Sequence, residues 1–180
     1  MVGYRLVRRD RASDAFSGEG ARRFGGRWNP KNLPAVYGSE HLSLAVLEFR
    51  VNQGGYDPDD QYVYFRFEFD EALVESIETP PADWLKRFKE DGSITEPQAF
   101  GEEWIQQKRS AVLSAPSAVI GIERNFVLNP SHADFAKIAI GAASKLDLDP
   151  RLWSTATEIS PRQGVHWSSE HGRVAPLARI

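Results

Sequence analysis

A carboxylate with apolar neighbours is the first residue of this sequence that could do chemistry. Residues 40–50 predict a helix with Ser39 as its N-cap. A rotation of 100° per residue places four apolar side chains on one stripe of this helix, namely Leu42, Ala45, Val46 and Phe49. Glu48 falls between Leu44 and Ala45 on the same helical wheel. A carboxylate there needs a partner or a task, so Glu48 is either half of a buried ion pair with an arginine or a catalytic group.

Arg27 is the second candidate, in a segment rich in Gly, Arg and Asn over residues 17–32 that predicts a loop. Two glycines precede Arg27 and Trp28 follows it. Backbone N–H groups beside glycine, a bidentate guanidinium and an aromatic wall can together bind a phosphate. The alternative is a tight turn with a packed tryptophan. Gly26, Arg27 and Trp28 are therefore candidates for an anion site.

Four further polar side chains could face a pocket or hold a loop. Tyr37 lies in a short predicted strand and could form an aromatic wall. Ser117 begins a β-rich run, and Asn125 and Asn129 could fix loops through side-chain bonds to the backbone. From the residues alone, a core tyrosine, a turn serine and two loop asparagines are the favoured interpretations.

Several kinds of site are missing from the sequence. There is no P-loop, no G-x-G-x-x-G after a strand and no G-x-S-x-G. The absence of cysteine excludes disulfides, thiolate zinc sites and a cysteine nucleophile. No histidine has the spacing of a metal ligand, the four being His41, His132, His166 and His171. We therefore expect neither a metal nor a bound cofactor.

The elements that must position these residues are of mixed type. Strands are predicted over 4–8, 34–38 and 62–69, and shorter β-rich runs over 117–122, 125–128 and 136–141. Helices are predicted over 40–50, 82–90 and 97–114, the last with Phe100, Trp104, Ala111 and Val112 as core contacts. Runs of both types without strict alternation predict a single α+β domain of mixed short strands with flanking helices.

Length, charge and hydropathy restrict the partners. A chain of 180 residues with 41% hydrophobic residues is one ordinary globular domain. Its net charge of -3 hides eight Lys/Arg against three Asp/Glu in residues 1–31, and four against fourteen in 57–103. This favours a local anion site over a nucleic-acid surface, unless the arginines simply pair with acidic residues. Without a signal region or a run of about 20 apolar residues, we expect a cytoplasmic protein with no membrane span.

Taken in order, short blocks of this sequence resemble the RES domain, a family named for an arginine, a glutamate and a serine. The blocks are Tyr4-Arg5-Leu6, Phe24-Gly25-Gly26-Arg27-Trp28-Asn29, Val36-Tyr37, Leu47-Glu48, Pro116-Ser117-Ala118, Asn125-Phe126, Asn129-Pro130 and Asp149-Pro150-Arg151-Leu152. The resemblance implies a RES domain over residues 1–152. Residues 153–180 would form a C-terminal extension, either a tail or a partner-binding arm.

The resemblance implies a function as well as a fold. RES domains resemble ADP-ribosyltransferases in fold and are toxins of bacterial type II toxin–antitoxin pairs with an Xre-like antitoxin. Members degrade NAD⁺ by hydrolysis or phosphorolysis, and some transfer ADP-ribose to a protein. Both activities are expected alternatives here. A partner-binding domain without activity and a small phosphate- or RNA-binding domain are the non-enzymatic alternatives, and the aromatic content leaves room for a homodimer face.

By motif match, Arg27 is the family arginine, Glu48 its glutamate, Ser117 its serine and Tyr37 a pocket tyrosine. The resemblance implies that Arg27 binds phosphate, Tyr37 packs against nicotinamide or its ribose, and Glu48 is the catalytic carboxylate. Ser117 would hydrogen-bond NAD⁺ or position Glu48. The other residues expected to line or support the NAD⁺ pocket are Gly26, Trp28, Arg5 and Asn129.

Overall fold

The computed structural model of the chain describes residues 1–53, 61–78, 94–149 and 152. The predicted helix over 82–90 and the segment 153–180 lie outside the described residues. None of the helices in the described part has the length and hydropathy of a membrane span.

Within these residues the chain forms one eight-stranded sheet in the order β4-β5-β6-β2-β1-β3-β7, with β8 also paired to β3. The β4–β5 pair is parallel, whereas its neighbours along the sheet pair antiparallel. The strands are β1 Val2–Arg8, β2 Val36–Ser39, β3 Tyr62–Glu68, β4 Val74–Ser76, β5 Val112–Pro116, β6 Arg124–Leu128, β7 Ala139–Ile140 and β8 Ser144–Leu146. The predicted α+β class is confirmed.

Among the described residues the helices are α1 Glu19–Phe24, α2 Leu42–Gln53 and α3 Thr95–Gln106, with 3-10 helices at Arg9–Asp14, Glu71–Leu73 and Ala133–Lys137. The loop predicted over 17–32 is therefore wrong in part, because it contains α1. Glu19 accepts hydrogen bonds from Arg22 Nε at 2.6 Å and Arg23 Nε at 2.7 Å, and these two bonds lower its pKa to about 2. Ion pairs three and four residues apart stabilise a helix that glycine alone would disfavour.

Alternation along the strands gives the sheet two buried faces. Phe65 and Phe67 on β3, and Phe69 just after it, are buried as predicted. Phe67 and Phe126 pack edge to face with ring centroids 6.4 Å apart. The opposite face of β5 and β6 packs Leu113 and Val127 against aromatic residues of α3 and of the segment before β2. Tyr37 and Asn125 lie on this second face.

The C-terminal half departs from the predicted elements. The helix predicted over 97–114 ends at Gln106, and the residues after it turn at Lys108, whose φ is +51°. Ala111 and Val112 are buried as expected, but they belong to the approach and start of β5. Pairing with β4 and β6 decides this segment, since long-range ladders override local helix propensity.

Three further expectations are wrong. Residues 117–122 form no strand, so Ser117 follows β5 rather than beginning a strand. The run over 136–141 is the end of a 3-10 helix followed by the two-residue strand β7. Ser39 does not cap a helix: it ends β2, and α2 begins after His41, whose carbonyl accepts the Ala45 N–H at 3.0 Å.

A glycine in α3 should control how closely this helix approaches the arginine-bearing loop. A Cβ added at buried Gly101 would lie 1.9 Å from the Trp28 carbonyl oxygen, whereas one added at Gly20 in α1 would meet nothing within 4 Å. We expect Gly101→Ala to lower the free energy of unfolding by about 2–3 kcal/mol through overpacking. Gly20→Ala, the matched control, should raise it by about 0.5–1 kcal/mol. Urea denaturation measures both, and equal values for the two variants would contradict the packing argument.

Candidate active site

The wall of the candidate site begins where β1 and β2 stop pairing. The register pair between the two strands is Tyr4 with Ser39. Past it, Arg5 donates from Nη1 to the Tyr37 carbonyl at 2.5 Å and from Nε to the Ala15 carbonyl at 2.6 Å. Burial lowers the pKa of Arg5 to about 10, partly offset by Asp14, so Arg5 stays charged at neutral pH. A guanidinium thus replaces backbone pairing and ties three segments together.

A cavity of about 1140 Å³ lies beside this junction. Its wall includes residues of β1, α1, β2 and α2, together with the loop before β2 and the segment after β5. Among the lining residues are Arg5, Gly26, Arg27, Trp28, Tyr37 and Glu48, six of the eight site residues predicted from sequence. The fold therefore brings together segments that are more than 100 residues apart in the chain.

Glu48 reaches the cavity wall from the middle of α2 and is half-buried. Its Oε1 accepts a hydrogen bond from Ser117 Oγ at 2.6 Å and another from Asn125 Nδ2 at 2.5 Å. Both donors are neutral, so they orient the carboxylate while its negative charge is kept. Asn125 was expected to fix a loop, and its contact with Glu48 is the main feature that sequence reasoning missed.

Ser117 is fully buried and its hydroxyl is completely engaged. Its Oγ accepts the backbone N–H groups of Val119 and Ile120, each at 3.0 Å, and gives its own proton to Glu48. A serine with these three bonds has its hydroxyl proton aimed in one direction. In this structure Ser117 therefore positions Glu48.

Arg27 lies on the same cavity wall, half-buried. Burial lowers the pKa of Arg27 below its ordinary value, and the nearby negative charge of Glu48 partly offsets this. Glu48 thus has an arginine close enough to interact with its charge, as one of the two alternatives expected, and in addition two neutral hydrogen-bond donors. A cation and an anion on one wall can hold opposite parts of a ligand that carries both charges.

Tyr37 lines the cavity beside the loop that carries Arg27. Its hydroxyl donates to Asn29 Oδ1 at 2.7 Å and accepts the Trp28 backbone N–H at 3.0 Å. Burial raises the pKa of Tyr37 above its ordinary value. A Cβ added at Gly26 would lie 2.5 Å from the Tyr37 hydroxyl oxygen, so only glycine lets the loop approach so closely. The hydroxyl is thereby committed to holding the Arg27 loop.

Asn29 is the second residue whose role sequence reasoning missed. It is fully buried, and its Nδ2 donates to the carbonyls of Ala21, Pro30 and Leu33 at 2.9, 3.1 and 3.0 Å. One amide side chain therefore satisfies three backbone acceptors around the loop. Its position two residues after the arginine was the available signal, because asparagine commonly holds turns in this way.

Two predicted site residues are buried, although Trp28 also belongs to the cavity wall. The Trp28 side chain is 5% exposed and packs edge to face with Phe100, with ring centroids 6.2 Å apart. Asn129 is fully buried outside the cavity wall, where it donates to the Ile105 carbonyl at 3.3 Å and accepts from the Ser131 N–H at 3.0 Å. The Trp28 side chain contributes packing, and Asn129 holds a loop.

Removing the Tyr37 hydroxyl should destabilise the fold. Tyr37→Phe leaves the Trp28 N–H and the buried Asn29 Oδ1 without their partner, and we expect a loss of about 1–3 kcal/mol in the free energy of unfolding. Tyr64→Phe is the matched control, because the Tyr64 hydroxyl makes no hydrogen bond within the described residues. Denaturant titration at pH 7 measures both, and a Tyr64→Phe loss as large as that of Tyr37→Phe would contradict the assignment.

The Tyr37 hydroxyl also predicts how the free energy of unfolding depends on pH. Because the pKa of Tyr37 is raised, the folded protein keeps this proton where the unfolded chain loses it, above a pH of about 10. Wild-type stability should therefore fall as the pH rises beyond 10, and Tyr37→Phe should lack that contribution.

Within the described residues, no group of three or more His, Asp or Glu side chains is placed to hold a metal ion. The Glu48 carboxylate, the Arg27 guanidinium and the Tyr37 ring are among the groups that line the cavity.

Comparison with known proteins assigns the chain to a family. The RES domain model matches residues 3–149 of this chain. The chain belongs to the RES domain family. This RES domain is 35% identical over 156 residues to the "Toxin Res" of Photorhabdus laumondii, a match that covers 84% of this chain and 97% of that protein.

Two other relatives carry more specific names. The "Prs ADP-ribosylating toxin" of a Sphingobium species is 34% identical over 146 residues, which cover 78% of this RES domain chain and 88% of that toxin. The "NAD(+) phosphorylase MbcT" of Mycobacterium bovis is 58% identical over 36 residues, which are 19% of each chain.

The fold has a counterpart among solved structures. The crystal structure of the M. tuberculosis MbcT–MbcA toxin–antitoxin complex contains a chain that matches with a TM-score of 0.66 and 23% identity. The match covers 84% of this RES domain chain and 86% of the solved one, which shows that the two share a fold.

Proposed function

We propose that this RES domain is a toxin that cleaves the bond between nicotinamide and ribose in NAD⁺. The observation that carries the proposal is the oriented carboxylate of Glu48, held at Oε1 by Ser117 and Asn125 on the wall of a cavity that also presents Arg27. An NAD⁺ molecule carries an anionic pyrophosphate and a cationic nicotinamide ring, so it needs such a combination of groups.

Arg27 binds the pyrophosphate in this proposal. A guanidinium donates paired hydrogen bonds to phosphate oxygens, and its partial burial makes each of them stronger than in water. Gly26 lets the backbone approach the same group. Arg5 supports the wall from the other side with its own charge. Tyr37 offers its ring to the nicotinamide or its ribose, since its hydroxyl already holds the loop.

Glu48 acts on the ribose. When the glycosidic bond breaks, its electron pair leaves with neutral nicotinamide and positive charge develops at the ribose carbon. A carboxylate held beside that carbon stabilises the charge, as in glycosidases. The oxygen of water or phosphate then forms the new bond to this carbon and its proton is released. Nicotinamide leaves as a neutral molecule, so we propose that neither a metal nor a bound cofactor takes part.

The direct test is to incubate the purified chain with NAD⁺, with and without inorganic phosphate, and to follow nicotinamide release. We expect nicotinamide in both cases if water is the acceptor, and ADP-ribose 1″-phosphate only with phosphate if phosphate is. A folded protein that releases no nicotinamide under either condition contradicts NAD⁺ cleavage to a small acceptor.

Transfer of ADP-ribose to a protein is the second candidate function. It is favoured by the similarity to the Sphingobium ADP-ribosylating toxin, which extends over 78% of this chain. The two activities share the NAD⁺ site and differ in the acceptor. Radiolabelled NAD⁺ with a bacterial lysate distinguishes them, because only transfer leaves the label on a macromolecule.

An antitoxin, of the Xre type, is the proposed protein partner. The structural neighbour was solved as a toxin–antitoxin complex. Phe24 and Val51 line the cavity here and are 79% and 63% exposed, so a partner at the mouth could cover apolar surface as well as the arginines. Co-expression with an Xre-type antitoxin should suppress NAD⁺ loss. Light scattering on the chain without its antitoxin tests whether it forms a homodimer. Cell fractionation tests the expected cytoplasmic location.

A further inference from the structure

Ser39 and Asn125 form a cross-strand pair directly behind the carboxylate. They are register partners in the antiparallel β2–β6 ladder, so their side chains leave the sheet on the same face. Ser39 Oγ donates to Asn125 Oδ1 at 2.7 Å, and Asn125 Nδ2 donates in turn to Glu48 Oε1 at 2.5 Å. Hydrogen bonds thus run from Ser39 on β2 through Asn125 on β6 to Glu48 on α2, and each side chain donates to the next one.

The direction of this chain of bonds has a physical cause. A carboxylate can only accept, so Glu48 requires the NH₂ end of the Asn125 amide. The carbonyl end then points at Ser39, which is 3% exposed and has to donate to it. If the Ser39 proton were absent, the amide oxygen would be a buried acceptor without a partner, which favours rotation of Asn125 away from Glu48.

We propose that Ser39 is a positioning residue of the site, which acts through Asn125 to hold Oε1 of Glu48 and leave Oε2 to the substrate. The proposal rests on the proposed NAD⁺ cleavage and deepens it. Among the described residues, both hydrogen bonds to the Glu48 carboxylate end on Oε1, so the two oxygens have different tasks. Ser39 belongs to the cavity wall, but its hydroxyl proton is committed to Asn125 Oδ1, so we assign it to positioning and not to contact with the substrate.

The test compares buried serines on opposite faces of one sheet. Ser39→Ala should lower kcat for nicotinamide release about 10-fold with KM unchanged within twofold, because a misplaced catalytic group costs rate rather than binding. Ser39→Thr, which keeps the hydroxyl, should restore most of the rate. Ser114→Ala is the matched control: Ser114 is 2% exposed and bonds Arg124 on the other face. Its kcat should equal that of the wild type.

A second readout does not depend on activity. In wild-type protein the side-chain NH₂ resonances of Asn125 should show one proton protected from exchange by its bond to Glu48, and Ser39→Ala should lose this protection. Ser39→Cys keeps the shape of the side chain with a somewhat larger atom and a much weaker donor. It should lose the protection too, which covers the case that the alanine variant does not fold.

The outcomes separate the two proposals. If the wild-type protein releases no nicotinamide, the proposed function is wrong. The side-chain amide resonances of Asn125 alone then test the positioning role of Ser39. If the wild-type protein is active and Ser39→Ala has an unchanged kcat, the proposed role of Ser39 is wrong, whereas NAD⁺ cleavage is still supported. A rise in KM at constant kcat also overturns it, since Ser39 would then contact the substrate itself.

Discussion

Glu48→Gln is expected to lower nicotinamide release from NAD⁺ by about 10³-fold while the fold is kept. Glutamine has the size of glutamate, and its amide oxygen can accept both bonds that reach Oε1 from Ser117 and Asn125. Its NH₂ group would then replace Oε2, so the negative charge that stabilises the ribose cation is lost while the anchoring bonds remain. Initial rates under saturating NAD⁺ measure the effect, and thermal unfolding checks the fold.

Glu40→Gln is the control for this experiment. Glu40 also accepts a hydrogen bond, from the Arg124 backbone N–H at 2.5 Å, but it does not line the cavity. Its replacement removes the same charge a short distance before α2 and should leave the rate within twofold. Full activity in Glu48→Gln would remove Glu48 from the chemistry.

Arg27→Ala should raise KM for NAD⁺ by about 10- to 100-fold, because a hydrogen bond between charged groups contributes about 1.5–3 kcal/mol. The partly buried guanidinium faces the cavity and has little competition from water there. Lysine keeps the charge but loses the bidentate geometry, so Arg27→Lys should fall between alanine and wild type. Steady-state kinetics, with direct NAD⁺ titration of the Glu48→Gln protein, separates binding from turnover.

Arg22→Ala is the matched control for Arg27→Ala. Arg22 lies in the same basic segment and pairs with Glu19, but it does not line the cavity. If KM rises equally in both variants, the effect comes from the general charge of the segment. An unchanged KM and kcat in Arg27→Ala would remove this residue from the site.

Most elements near the site could be predicted from the sequence. Strand β3 and helix α2 were expected within a few residues of their observed bounds, because each has a regular apolar period. The region after Gln106 was predicted poorly. Its helix-favouring residues form a turn and β5, since the strand gains hydrogen bonds from β4 and β6 that no local pattern records.

The sequence indicated the residues of the site, but among their contacts only that of Ser117 with Glu48 was offered, as one alternative implied by the family resemblance. The helical wheel singled out Glu48 because a carboxylate among apolar side chains is costly, and Gly26 and Arg27 stood out by composition. The donors to Glu48 could not be found in the same way. Ser117 and Asn125 are 69 and 77 residues further along the chain, and only strand pairing brings them to the carboxylate.

The sequence by itself determined the α+β class, the family, and the chemical types at the site: a carboxylate, a guanidinium and an aromatic ring. Side-chain chemistry and local apolar periods are properties of short segments, so they can be read from the sequence. The tertiary structure decided which oxygen of Glu48 is anchored, that the Tyr37 hydroxyl holds a loop, and that Trp28 packs inward. Each of these depends on the register and approach of distant strands and helices, which long-range packing alone sets.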